Sequence, residues 1–171
     1  MRPFAAPAVL AAAIAVAAVP LALADTRPMA LERAVGAWKG TGTARDTAAE
    51  KPDPVSCRAT NAFTADALKI TATCRSSTGE GQLVAFIRTG ASSDRLGGIW
   101  YRNSTSLKAE ERGDLAGGPA GGDRYALDVR AAGRTVASVA LSFAGANGMR
   151  LTVSAPPAGG GGVLLDVAFS R

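Results

Sequence analysis

In Ala67-Leu68-Lys69-Ile70-Thr71-Ala72-Thr73-Cys74-Arg75 the residues from Leu68 on alternate, apolar at even positions (Leu68, Ile70, Ala72, Cys74) and polar at odd ones (Lys69, Thr71, Thr73, Arg75). Side chains on a strand point to opposite faces in turn, so this stretch is a strand with one buried and one wet face. Ser138-Val139-Ala140-Leu141-Ser142-Phe143 reads the same way, with Val139, Leu141 and Phe143 on the buried side. Further segments of alternating or β-branched character recur about every ten residues between Gly, Pro, Asn, Asp and Ser clusters. Ten strands are predicted: 37–44, 55–63, 67–75, 82–89, 96–103, 106–112, 124–131, 134–144, 149–155 and 163–170. The only helical stretch is a turn or two from Ala30 to Val35, Ala-Leu-Glu-Arg-Ala-Val, which has good helix formers and no Gly or Pro.

The connections are short, which favours consecutive hairpins. Ala131-Ala132-Gly133 and Gly145-Ala146-Asn147-Gly148 suit tight turns, because Gly and Asn tolerate positive φ. Two longer glycine-rich stretches, Gly113 to Asp123 and Pro156 to Gly162, read as hairpin loops. Neither is a phosphate loop, since no Gly-Lys-Ser/Thr follows and the next segment is strand-like.

Cys57 and Cys74 lie symmetrically about the point between Ala65 and Asp66, so a hairpin turning there sets them face to face. A two-residue turn closed by Thr64 and Ala67 makes them a close, non-hydrogen-bonded pair within disulfide reach. A four-residue loop keeps them opposite in the wider class, and Ala-Asp leaves the turn type open. A disulfide is expected, and the spacing excludes a Cys-x-x-Cys redox centre.

Arg2 followed by an apolar run from Pro3 to Ala24, with Pro20 near its end and Ala22-Leu23-Ala24 before Asp25, has the form of a secretory signal peptide. The expected organisation is a signal over 1–24 and one domain over 25–171 outside the cytoplasm, periplasmic or secreted, with no stable membrane span after cleavage. The competing reading of the run is an uncleaved anchor. Removing 24 residues from 171 leaves 147, enough for one core. Of 19 Lys and Arg only Arg2 falls in the signal, so 18 basic residues stand against 14 acidic ones, a mildly basic balance. No basic run is interleaved with aromatics, so no nucleic-acid partner is expected.

The chain has no His. That excludes His general bases, Ser-His-Asp and Cys-His nucleophiles, His-ligated haem and His-containing zinc sites. Two cysteines cannot make a four-cysteine metal centre. Glu110, Glu111 and Asp114 are the densest carboxylates, but alternation puts Glu110 and Glu111 on opposite faces, which is a solvated strand rather than a paired-acid site. The abundant Ser and Thr have no base to activate them. A non-enzymatic role with no cofactor and no metal is expected.

Gly36-Ala37-Trp38-Lys39-Gly40-Thr41-Gly42 is the most specific local pattern. A large ring can plug the tapered end of a small barrel, and flanking glycines let the backbone bend there. A Gly-x-Trp entry after a short helical lead-in resembles the start of the lipocalins and related calycin barrels, which implies an all-β, antiparallel up-and-down barrel of eight to ten strands with Trp38 at its closed end. The longer order, with Cys57-Arg58, Cys74-Arg75, Gly98-Ile99-Trp100 and an Arg-ended last strand, resembles small exported bacterial proteins without an assigned function. The same opening is similar to that of nitrobindin-like haem barrels, whose haem ligand is a His that this chain lacks. Exported bacterial inhibitors of metalloproteases are also similar, with a tryptophan start, one disulfide and a free N-terminal segment that Asp25 to Ala30 would match, although the cysteine spacing differs.

The large aromatics on predicted strands are Trp38, Phe86, Trp100, Tyr101 and Phe143. Trp100 and Tyr101 are neighbours and must face opposite ways. The expected function is therefore a binding module that takes a small apolar or amphipathic ligand in a barrel cavity, with Trp38, Phe86, Trp100 and Phe143 as candidate ligand-binding residues. The alternative is a protein-interaction module such as a protease inhibitor, whose envelope partner meets the N-terminal segment or the glycine-rich loops. A membrane-spanning barrel is disfavoured, because the chain has no aromatic girdles and ends in Ser170-Arg171.

Overall fold

The computed structural model describes residues 29–64, 67–89, 95–104 and 109–171, with side chains at all of these except 29, 30, 89, 104, 109–111 and 159. The predicted signal over 1–24 lies outside the described residues. After a four-residue helix, α1 (Met29–Glu32), ten strands follow: β1 (Gly36–Ala44), β2 (Asp53–Thr64), β3 (Ala67–Arg75), β4 (Glu80–Thr89), β5 (Leu96–Ser104), β6 (Ala109–Pro119), β7 (Arg124–Ala131), β8 (Arg134–Ala144), β9 (Gly148–Ser154) and β10 (Val163–Ser170). Each strand pairs antiparallel with the next, and β1 pairs with β10, so the sheet is a closed up-and-down barrel without free edges. This is the architecture expected of a calycin-like barrel.

Alternation fills the interior. Leu68, Ile70 and Ala72 of β3, Leu83, Ala85 and Ile87 of β4, and Val139, Leu141 and Phe143 of β8 are all buried. The outward rows carry Lys, Arg, Thr and Ser, as on Lys39, Arg58 and Lys69. Strand ends agree with the sequence reading within two residues everywhere but β6.

There the expectation of a strand over 106–112 and a loop from Gly113 to Asp123 is wrong, because β6 continues to Pro119. Its glycines are packing residues. A Cβ on Gly117 would stand 2.0 Å from the Ala126 carbonyl oxygen, and one on Gly113 would stand 2.7 Å from a Val129 methyl. The β7 backbone closes down on β6 where side chains are missing, and strand propensity carries no sign of that contact. The helical lead-in is also shorter than expected, ending at Glu32.

The hairpin of β2 and β3 closes at Thr64 opposite Ala67, leaving two residues in the turn, and Cys57 stands opposite Cys74. They form a disulfide with the Cα atoms 4.0 Å apart, in the close class of cross-strand pair. A disulfide here fits an oxidising, non-cytoplasmic environment. At the β7–β8 turn Ala132 and Gly133 both have positive φ, 49° and 76°, the mirror-image turn that matches strand twist.

Two irregularities interrupt the ladders. The register shifts between Val129 and Arg130 where β7 meets β8, leaving Val136 as the extra residue. A second shift between Val163 and Leu165 does the same to Leu164 in β10. Bulges of this kind re-aim side chains at barrel rims.

Candidate functional site

The up-and-down order sends the connections to two ends. At one end lie α1 and the β2–β3, β4–β5, β6–β7 and β8–β9 turns; at the other lie the remaining four loops and the β5–β6 connection.

The first end is shut. Leu31 and Ala34 are buried, and Trp38 is only 2% exposed. The Ala34 carbonyl accepts from Trp38 Nε1 at 2.8 Å and from Asn61 Nδ2 at 2.9 Å. The Arg171 guanidinium lies 4.4 Å from the Trp38 ring centroid and donates to the carbonyls of Arg33, at 2.6 Å, and Val35, at 2.7 Å. Arg33 in turn donates to the Gly145 carbonyl at 2.6 Å, meets Asp123 at 2.7 Å, and sits 5.9 Å from the Phe143 ring centroid. Residues 31–35 thus form a plug latched by the first two strands, two loops and the last residue of the chain. A buried Asn61 Oδ1 without a protein partner is the one flaw in that floor among the described residues. Beside Asp123, burial and then the nearby carboxylate push the Tyr125 phenol up, so it stays neutral at physiological pH.

The second end opens into a cavity of about 280 Å³. Val55, Ala72, Leu83, Trp100, Leu151 and Phe169 make its apolar base, and Arg45, Asp46, Glu50, Lys51, Arg102 and Asn103 stand around its rim. A side lobe of about 200 Å³ shares Asp46, Trp100, Arg102, Val153 and Leu164, and is completed by Arg112, Val129, Val136 and Ala137. Both bulge residues, Leu164 and Val136, therefore line this end. Gly40 makes room below: a Cβ there would stand 2.7 Å from a Phe169 ring carbon.

The rim is braced by the β1–β2 loop. Arg45 donates from Nε to the Val163 carbonyl at 2.6 Å and from Nη1 to that of Ala48 at 2.7 Å, while its own N–H meets the Leu164 carbonyl at 2.8 Å. Thr78 Oγ1 donates to Asp53 at 3.2 Å and ties the β3–β4 turn to the same rim. The disulfide lies just inside, with Cys74 on the cavity wall.

Of the four aromatic residues singled out as ligand-binding candidates, only Trp100 lines the cavity; it is 4% exposed. Trp38 and Phe143 belong to the plugged end. Phe86 is half-buried on the outer wall, with Lys69 Nζ 5.7 Å from its ring centroid. Tyr101 also faces outward, opposite to Trp100 as strand geometry requires. The acid pair Glu110 and Glu111 lies on β6 opposite Asn103 and Arg102 in backbone register, with side chains outside the described residues.

Phe169 and Arg102 were missed. Phe169 shares the alternation of Leu165 and Val167, which marks it as inward; Arg102 shares the parity of Trp100, a charged residue on an inward row. Among the described residues no group of three or more His, Cys, Asp or Glu stands together to hold a metal ion. Chemically, the arrangement offers an apolar floor under a charged rim.

No protein-family model matches the chain, and no curated protein matches it in sequence.

Proposed function

We propose that this is an exported, non-enzymatic binding protein, periplasmic or secreted, that takes a small amphipathic ligand into the open end of its barrel. The observation that carries this reading is the cavity of about 280 Å³ over Trp100 and Phe169. Pockets for small molecules begin near that size and combine apolar walls with a few polar groups. The apolar part of the ligand rests on Trp100, Phe169, Leu83 and Leu151, and its polar end meets Arg102, Asn103 and Lys51 at the rim. The wall is the inverse of a lipid-spanning barrel, with an apolar interior and Lys39 and Arg58 outside.

The test is titration with an environment-sensitive apolar dye. One saturable site is expected, weakened about tenfold or more by Trp100→Ala, since a buried aromatic contact contributes on the order of 1.5–3 kcal/mol. A competing reading, capture of an envelope protein by the N-terminal segment, is favoured by one observation. The plug fixes residue 31 at the closed end of the barrel, opposite the mouth. In that case the dye finds no specific site, and removing residues 25–30 abolishes partner capture.

A further inference from the structure

The outer wall carries a second surface, which the cavity does not use. On β4 and β5, Val84 stands directly opposite Tyr101, and Phe86 directly opposite Ile99. Their inward neighbours Leu83, Ala85, Ile87 and Trp100 are buried, so alternation turns these four outward, where each is partly buried. Four large apolar side chains in two adjacent cross-strand pairs are not scattered surface residues. A contiguous apolar patch of this kind marks an interaction site.

Its surroundings are mainly cationic. Lys69 is the register partner of Phe86 on β3, and Arg112 that of Tyr101 on β6. Arg88 lies two residues along β4 on the same face. Farther round the wall Lys39 and Arg58 stand opposite one another on β1 and β2, a like-charge pair that costs stability unless an anion approaches. The only carboxylates on β1–β4 are Asp53 and Glu80, both at the mouth end, and Glu80 is bonded to Arg75. Asp114, opposite Ile99, is an acid at the border of the patch.

We propose that the outer wall of β4 and β5 docks on an anionic lipid bilayer. Val84, Phe86, Ile99 and Tyr101 enter the headgroup region, and Lys69 and Arg88 lie at the level of the phosphates. Two features select this occupant. A second copy would bring the same cations face to face. A soluble polyanion would engage the cations but leave the apolar quartet uncovered, whereas a bilayer surface satisfies both and suits a convex wall.

The experiment is co-sedimentation of the exported protein with vesicles of phosphatidylglycerol and phosphatidylcholine, or of phosphatidylcholine alone. Binding to the anionic vesicles only is expected. Each cation near such a surface contributes about fivefold, so Lys69→Gln with Arg88→Gln should lower partitioning about 25-fold. Phe86→Ser should lower it as well, and Arg134→Gln, at the start of β8, should not. Circular dichroism of each variant establishes that the barrel is intact. Equal binding to both vesicle types, or binding insensitive to the Lys69, Arg88 and Phe86 changes, overturns the proposal, as retention through an uncleaved N-terminal run would produce. So does lipid-free self-association abolished by Phe86→Ser, or polyphosphate binding that Phe86→Ser leaves intact. The dye site is read separately, so failure here leaves the cavity reading standing.

Discussion

Replacing Trp38 tests the plugged end. The ring is 2% exposed, its N–H reaches the Ala34 carbonyl, and Arg171 covers its face. Trp38→Ala removes the ring from a floor that cannot collapse, because residues 31–35 are held from five directions. The expected loss is about 3–5 kcal/mol for burial plus cavity. With a urea slope of about 2 kcal/mol/M, the unfolding midpoint followed by far-UV circular dichroism should fall by about 2 M. Trp38→Phe separates two contributions. It keeps most of the ring, and the Ala34 carbonyl still accepts from Asn61, so no buried acceptor is orphaned. Its cost should be about 1–2 kcal/mol. The dye affinity at the mouth should stay within about twofold in both variants, because Trp38 does not line the cavity. A midpoint shift below about 0.5 M for Trp38→Ala, or equal shifts for the two variants, refutes the plug.

Other outcomes follow from the wall and the rim. Cys57→Ser with Cys74→Ser should cost about 3 kcal/mol in the chain-entropy account of a short closed loop, measured by denaturant melts against the oxidised protein. Gly117→Ala should cost about 2 kcal/mol through overpacking against the Ala126 carbonyl, whereas Gly97→Ala, where the nearest atom to a new Cβ is 3.7 Å away, should cost much less. On the outer wall, Arg150 holds Asp166 with two hydrogen bonds, from Nε at 2.7 Å and from Nη2 at 2.5 Å, and this bonding pulls the carboxyl below its ordinary value. A depressed carboxyl stabilises the fold above its unfolded pKa and loses that contribution as pH falls through the folded one. The difference in midpoint between wild type and Asp166→Asn should therefore be constant from pH 7 to about pH 5 and shrink below about pH 4.

Much of the barrel is legible in period-two alternation. β3, β7, β8 and β10 have the ends the sequence implies, and the symmetry of Cys57 and Cys74 about residues 65 and 66 yields both the register and the bond. What stayed hidden depends on neighbours distant in sequence. The glycines of β6 read as a loop because their purpose is the closeness of β7. Leu164 and Val136 reach the cavity through bulges that alternation has no means of showing. Phe86 is different: it shares a parity with Val84 and Arg88, opposite to Leu83, Ala85 and Ile87, so its outward position was written in the strand. Selecting aromatics by size rather than by parity obscured it. Which end of the barrel would close was legible from Trp38, but the depth at which Trp100 sits was not.

The latch between Arg171 and the carbonyls of Arg33 and Val35 spans 138 and 136 positions, and β10 alone completes the ladder along β1. During synthesis β1 emerges early and must wait for the whole intervening chain with one edge unpaired. Such an edge is a template for wrong pairing, and contacts of this separation make folding slow. A chain lacking β10 would have an open wall and would lose one of the plug's five latches. Docking of β10 is thus the step that closes the wall and sets the Arg171 latch together.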